Sequence, residues 1–438
     1  MKTLISQCLL VLLIACLIEI NQPVLAQTLD TNEEQISRNS DELIPALPFD
    51  FFGRIAVLPA KNVGDPTHDW ISITIQDVLT QDLWQIEAFE ARSLRTFSSK
   101  FTTLCPGLEL RCITKLDTSD LLHALSDQHL SHAISASYQR VEDQILITLR
   151  WHRMRESAET FDGENTLTIS TSPSGLTDSL SLNLINWLRT RGIDVPEERT
   201  ERIRRTKTHN EESLQHAAQA YWLQQLFQQN RDDVEIQQRW AEAAQLSVEA
   251  DDQHAQAWTL LGWQRFNTGE VDSARDAFES AAELNAEHID AINGLVFVQS
   301  DTQEGQQSKW KYAVRAVELN RSIPIYQDNA RNSLYAVARY QHALYYAQYS
   351  LSLQTNIFGY DNIKTEEAWN YLGHVNLKIG RHIESTKYFK RRLNIWADEF
   401  GVNKIEIARI HNILGRIFSA LKQQSEAIGH FENALAGC

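Results

Sequence analysis

The short motifs that mark many catalytic sites are missing. No Gly-x-x-x-x-Gly-Lys-Ser/Thr, His-Glu-x-x-His, Gly-x-Ser-x-Gly or Gly-x-Gly-x-x-Gly occurs along the chain, which removes the usual phosphate-loop, zinc-protease, serine-hydrolase and dinucleotide signatures. Positive charge is also short. The net charge is −16, and an acidic chain repels nucleic-acid phosphates. Its one basic cluster, Arg199, Arg202, Arg204, Arg205 and Lys207, is interrupted by Glu197, Glu198 and Glu201, so it reads as a solvated linker. Cysteine is scarce, with 5 in all, and no second Cys/His pair stands at zinc-ligand spacing. After the first residues no apolar stretch is long enough to span a bilayer.

What is present at the amino terminus resembles an export signal. Lys2 precedes an apolar run from Cys8 to Ile18, and Val24-Leu25-Ala26 offers small or branched residues before Gln27, so cleavage after Ala26 is expected. Leu13-Ile14-Ala15-Cys16 resembles a bacterial lipobox, which leaves lipidation of Cys16 open, as is retention of the run as a membrane anchor. Export to a bacterial periplasm or envelope agrees with the cysteines. Cys105 and Cys112 flank a Pro-Gly turn, and an oxidising compartment would keep them disulfide-bonded.

Residues 27–49 form an acidic linker, and residues 50–195 alternate strand and helix patterns. Arg54–Pro59 reads as a buried strand and Trp70–Ile86 as a helix. Glu87–Leu94 returns as a strand, and a second helix covers Ser119–Ser126. His132–Gln139 and Gln144–Trp151 pair as a hairpin, and Leu176–Leu188 is a last amphipathic helix. This order predicts a small α/β sandwich. Ile55-Ala-Val-Leu-Pro59, Gly64-Asp-Pro66, Asp77-Val-Leu-Thr-Gln-Asp-Leu83 and His132-Ala-Ile-Ser-Ala-Ser-Tyr-Gln-Arg140 resemble the domain related to the amino-terminal part of TolB. Such a domain precedes helical repeats in class III adenylyl cyclases and CadC-type regulators, and the resemblance implies no catalytic residue.

Beyond a charged linker at 196–213, the chain repeats itself. Trp258-x-x-Leu261-Gly262, Ala274-x-x-x-Phe278 and Ala281 follow the tetratricopeptide pattern, in which large and small residues alternate so that two antiparallel helices pack closely. Leu295 follows Leu261 by 34 residues. Further on the interval is 42, linking Ala343, Ser385 and Ala427, and Leu372-Gly373 with Leu414-Gly415. That longer unit resembles the kinesin-light-chain type of repeat. Residues 214–438 are thus expected to form about six helical hairpins, the last incomplete. The fold class is α+β overall, a small α/β domain followed by an all-α repeat array.

Function is expected on the first-helix faces of these hairpins. Counting from the Leu-Gly pairs, Asn370, His374, Asn412 and Arg416 should face a groove, with Thr259 and Trp263 forming a more apolar wall. Asparagine side chains suit peptide amides because each donates and accepts, and Arg416 suits a carboxylate. The packed-residue alternative for both asparagines stays open. His123, His129 and His132 near Asp120 read as surface histidines rather than metal ligands, Asp162 and Glu164 as a turn, and Asn320-Arg-Ser322 as a chance glycosylation match. No catalysis, cofactor or metal is expected. The reading is an exported, non-catalytic scaffold that binds a protein or peptide. Its alternative is a membrane-anchored sensory module. Self-association through the last helix, which carries Ile428, Phe431 and Leu435, is a further expectation.

Overall fold

The structure is a computed structural model that describes residues 47, 50–93, 104–105, 110–154, 165–204, 207–360, 362–400 and 404–437. The expected signal segment, Cys16 and the turn at Asp162 and Glu164 lie outside the described residues. The chain divides into two bodies, one spanning residues 47–338 and one containing residues 339–438.

The first body opens with a mixed sheet of strands β1 (Arg54–Val57), β2 (Lys61–Asn62), β3 (Glu90–Arg92), β4 (His132–Val141), β5 (Gln144–Arg153) and β6 (Asn165–Thr171). The order is β3-β1-β4-β5-β6, with β2 beside β4. β1 runs parallel to β3 and β4, because helix α1 (Trp70–Trp84) carries the chain across between β1 and β3. β4, β5 and β6 are antiparallel, with Ser137 opposite Thr148 and Thr148 opposite Thr168. Strand β6 and its place at the sheet edge are absent from the sequence reading, since Thr-Leu-Thr-Ile-Ser-Thr alternates over too short a span to declare itself. Short helices α2 (Leu110–Ile113) and α3 (Thr118–Ala124) follow β3, and α4 (Leu176–Arg189) packs against α1. A disulfide joins Cys105 to Cys112.

Helix α1 is enclosed on both sides. Ile71, Ile75, Val78, Leu79 and Leu83 enter the core, and Ser72, Thr74, Gln76, Thr80 and Asp82 are buried as well. A helix buried all round needs partners for its polar face. One partner is the strand it follows, since Gln76 Nε2 donates to Val57 O at 2.6 Å. The rest come from the helices downstream.

The supposed linker is a helix, α5 (Glu197–Arg204). Three helical hairpins come next: α6 (Glu211–Gln229) with α7 (Val234–Ala250), α8 (Ala255–Asn267) with α9 (Val271–Leu284), and α10 (Ile289–Phe297) with α11 (Gln303–Leu319). Helix α12 (Pro324–Ala336) closes this body. The second body holds α13 (Tyr340–Phe358), α14 (Ile363–Lys378), α15 (His382–Phe400), α16 (Lys404–Ala420) and α17 (Gln424–Gly437).

The Leu-Gly columns are packing positions. A Cβ on Gly262 would meet the Phe278 ring at 2.7 Å, and one on Gly373 the Phe389 ring at 2.8 Å. The glycine lets the two helices of a hairpin approach over an aromatic side chain. Gly429 in α17 meets nothing within 4 Å. The same substitution should therefore have opposite signs at two sites. Gly373→Ala should destabilise the protein by about 1–3 kcal/mol through overpacking, whereas Gly429→Ala should stabilise it by about 0.5–1 kcal/mol through helix propensity. Urea unfolding of both variants measures this.

Candidate functional site

In the first body, the ends of the first helices of each hairpin are already occupied by the protein's own α1. Helix α1 packs on α6. In its middle Gln256, at the beginning of α8, donates to Asp77 Oδ2 at 3.3 Å. Toward its end Lys207 meets Asp82 Oδ1 at 2.6 Å, and Ser181 donates to Asp82 Oδ2 at 2.6 Å. Past its end, Asn320 donates to Trp84 O, and Ser322 Oγ donates to Phe89 O at 2.8 Å. Glu87 receives Arg321 through both oxygens, at 2.9 and 2.6 Å, and Arg199 at 3.0 Å. Arg199 also donates to Gln85 O at 2.7 Å and Leu319 O at 3.0 Å. The basic cluster therefore serves as mortar between the sheet domain and the hairpins, because guanidinium groups can satisfy a carboxylate and bare helix-end carbonyls together.

Several titrating groups of this seam are perturbed. Burial would raise the Glu87 carboxyl, but Arg321 and Arg199 outweigh it and hold it below the usual range. Burial pushes Asp82 up against the pull of Lys207 and Ser181. Burial pushes Asp77 up to about 6, helped by Asp290 and opposed by the hydrogen bond from Gln81. His254 and His288 are pushed down to about 4 by burial. Neutral imidazole fits their roles, since His288 Nδ1 accepts from Ala291 N–H at 3.4 Å at the start of α10 and His254 Nδ1 sits 2.8 Å from Ser213 Oγ.

Two residues expected in the groove are placed differently. Thr259 is 0 % exposed and donates to Ala255 O at 3.0 Å, so it packs within its own helix and offers nothing to a ligand. Trp263 is 6 % exposed and lies among Phe266, Phe278 and Phe297. The exposed ring of this cluster is Phe297, 41 % exposed, which the sequence reading passed over although it follows Trp263 by 34 residues.

In the second body the other four lie on two first helices, both packed on α15. Asn370 and His374 are half-buried on α14, and His374 stands edge-on to Phe389 at 5.1 Å. Asn412 is half-buried and Arg416 exposed on α16. Asn370 Oδ1 has no hydrogen-bond partner. Sequence reasoning also missed Glu366, whose carboxylate takes Arg392 and, at 2.8 Å, Trp396 Nε1, while Arg392 reaches Glu406 at 3.3 Å. These contacts tie α14, α15 and α16 together, and no repeated column announces them.

The remaining sequence candidates are structural. His132 sits between Phe89 and Trp151 at 5.5 and 5.3 Å and is pushed down to about 4 by burial. Among the described residues no group of three potential ligands could hold a metal ion. Asn320 and Ser322 are 0 % exposed, which closes the apparent glycosylation triplet to any enzyme. A concavity of about 650 Å³ lies between residues 66–70, 110–111 and helices α6 and α7. Its acids are engaged: Asp69 accepts from Asn62, Asp233 caps α7, and Glu235 pairs with Arg239.

Residues 364–438 match the tetratricopeptide repeat family. No curated protein matches the chain. Among solved structures, YrrB, described as a tetratricopeptide protein with an unusual peptide-binding site, is similar at 17 % identity, over 45 % of this chain and 93 % of that one, with a TM-score of 0.38. MamA is similar at 16 % identity over 40 % and 94 %, with a TM-score of 0.34. The carboxy-terminal part of a repeat protein from Cytophaga hutchinsonii is similar at 10 % identity over 58 % and 88 %, at 0.41. The tetratricopeptide match covers α14 to α17, where the four accessible candidates lie.

The seam sets a pH dependence with a definite sign. An Asp whose folded-state pKa is about 6 rather than 3.8 contributes stability below pH 3.8 that is lost as pH rises through 6. The loss would be about 3 kcal/mol for a fully enclosed group and about 1–2 kcal/mol for one that keeps some contact with solvent. Asp77→Asn should raise stability at pH 7.5 by that smaller amount and leave it unchanged at pH 4, measured by urea unfolding at both.

Proposed function

We propose that the protein is a non-catalytic interaction scaffold, and that its tetratricopeptide repeats bind an extended segment of a partner protein along the first-helix faces of α14 and α16. The observation that carries this reading is Asn370, a half-buried side-chain amide on the expected binding face whose oxygen has no partner. An unsatisfied buried acceptor costs about 1–3 kcal/mol, so a rotation of the amide that brings this enclosed oxygen to a peptide N–H is favoured on binding. Asn412 is the half-buried asparagine at the equivalent place on α16, and Arg416, exposed four residues later, suits a carboxylate on the same segment.

The finer features belong to the same proposal. The sheet domain is of the TolB-related kind, the repeats at 42-residue spacing are of the kinesin-light-chain kind, and the chain is exported. The Cys105–Cys112 disulfide supports export, since such bonds persist in oxidising compartments. Self-association through α17, where Ile428 and Leu435 are 56 % and 69 % exposed, is a second mode of assembly for the same scaffold.

Affinity capture with the full chain tests the binding face. The triple variant Asn370→Ala, Asn412→Ala and Arg416→Ala should weaken capture of the partner by about 2–4 kcal/mol, at about 1 kcal/mol for each neutral hydrogen bond and more for the charged one. Unchanged capture with intact helical content would remove the face from the account. Loss of helical content in the triple variant would show instead that the amides hold the fold.

A further inference from the structure

At the carboxy-terminal ends of α8 and α10, three aromatic rings meet at the surface of the first body. Trp263 and Phe266 are 5.9 Å apart, Trp263 and Phe297 5.9 Å, and Phe266 and Phe297 6.1 Å. Phe278 supports them at 5.1 Å from Trp263. Trp263 is closed in, Phe266 is half-buried, and Phe297 is 41 % exposed. The seam with α1 uses the opposite, amino-terminal ends of these helices, through Gln256 and the start of α10, so this shelf lies on the part of the hairpins that the sheet domain leaves uncovered.

Its surroundings are negative. Helix α8 ends at Asn267 and α10 at Phe297, and carboxy-terminal helix ends carry partial negative charge. The loops that follow add exposed Glu270 and Asp301, with Glu304 in the first turn of α11. The nearby cations are already engaged: Arg265 donates to Ser273 O, and Arg275 pairs with Asp272 and donates to Val298 O. Aromatic faces attract cations, by about 0.5–1 kcal/mol when exposed and more when desolvated. Asn267 is exposed at the end of α8, and its amide donates to Trp263 O at 2.7 Å.

We propose that this shelf docks a basic, extended segment of a partner protein, with an arginine or lysine side chain lying on the Phe266 and Phe297 rings. The charge complementarity selects the occupant. An acidic segment would meet the same carboxylates and helix ends with repulsion, and a purely apolar one would leave them unanswered. The site is independent of the α14 and α16 face, which presents Arg416 and favours the opposite charge.

The test titrates the full chain with a nine-residue peptide alternating arginine and serine, and with its glutamate-serine counterpart, by calorimetry at low and physiological salt. The arginine peptide should bind and the glutamate peptide should not. Phe297→Ser should weaken arginine-peptide binding at least tenfold, while Phe297→Tyr, which keeps the ring, and Asn412→Ala, which alters only the other face, should leave it within about twofold. Arginine-peptide binding that is equal in wild type and Phe297→Ser would reduce the effect to general attraction by an acidic protein and overturn the proposal. Absence of binding, or equal binding of the glutamate peptide, would overturn it too.

Discussion

Helix α1 has two faces to bury and only one of them is apolar. Its polar face, with Thr74, Asp77, Gln81 and Asp82, cannot be left in a low-dielectric seam without partners. Everything around it is arranged to supply them: Lys207 for Asp82, Gln256 for Asp77, and Asn320, Ser322, Arg199 and Arg321 for the carbonyls and the Glu87 carboxylate at its end. A buried ion pair of this kind adds little net stability against an apolar replacement, but breaking one partner is expensive. Its contribution is specificity. This placement of the hairpins satisfies the groups named here together.

That constraint divides the helical hairpins by use. In the first body the leading ends of α8 and α10 are committed to the sheet domain and Thr259 is enclosed, while Phe266 and Phe297 at the trailing ends stay partly exposed. In the second body Asn370, Asn412 and Arg416 remain on the first-helix faces, with Glu366, Arg392 and Glu406 holding the helices that present them. A single repeat design thus gives one set of faces to internal assembly and leaves another partly exposed.

Much of the architecture was legible from local pattern. Intervals of 34 and 42 residues locate hairpins because glycine and aromatic columns must coincide wherever helices touch, as Gly262 with Phe278 and Gly373 with Phe389 show. The α1 helix, the β4–β5 hairpin and α4 follow from apolar spacing alone. What was illegible shares one cause. Arg199, Arg202 and Lys207 look like solvated charges because their partners Glu87, Glu287 and Asp82 stand far away in sequence, and no local window contains both members. Thr259 fell on the groove by its repeat position two before Leu261, and its bond to Ala255 O is invisible to a repeat count. Phe297 shared a column with Trp263, but its exposure depends on where α10 ends.

The central claim is that the sheet domain and the first three hairpins are one cooperative body, held by the polar face of α1. Hydrogen exchange of the full chain with Lys207→Met measures this most directly, because the substitution removes the cation opposite Asp82 and retains most of the side-chain volume. The account predicts that amides of α1, α8 and α10 lose protection together and by similar factors, while those of α14 to α16 are unchanged. Faster exchange confined to α1, with α8 and α10 as protected as before, would show that the hairpins stand without the sheet domain and would contradict it.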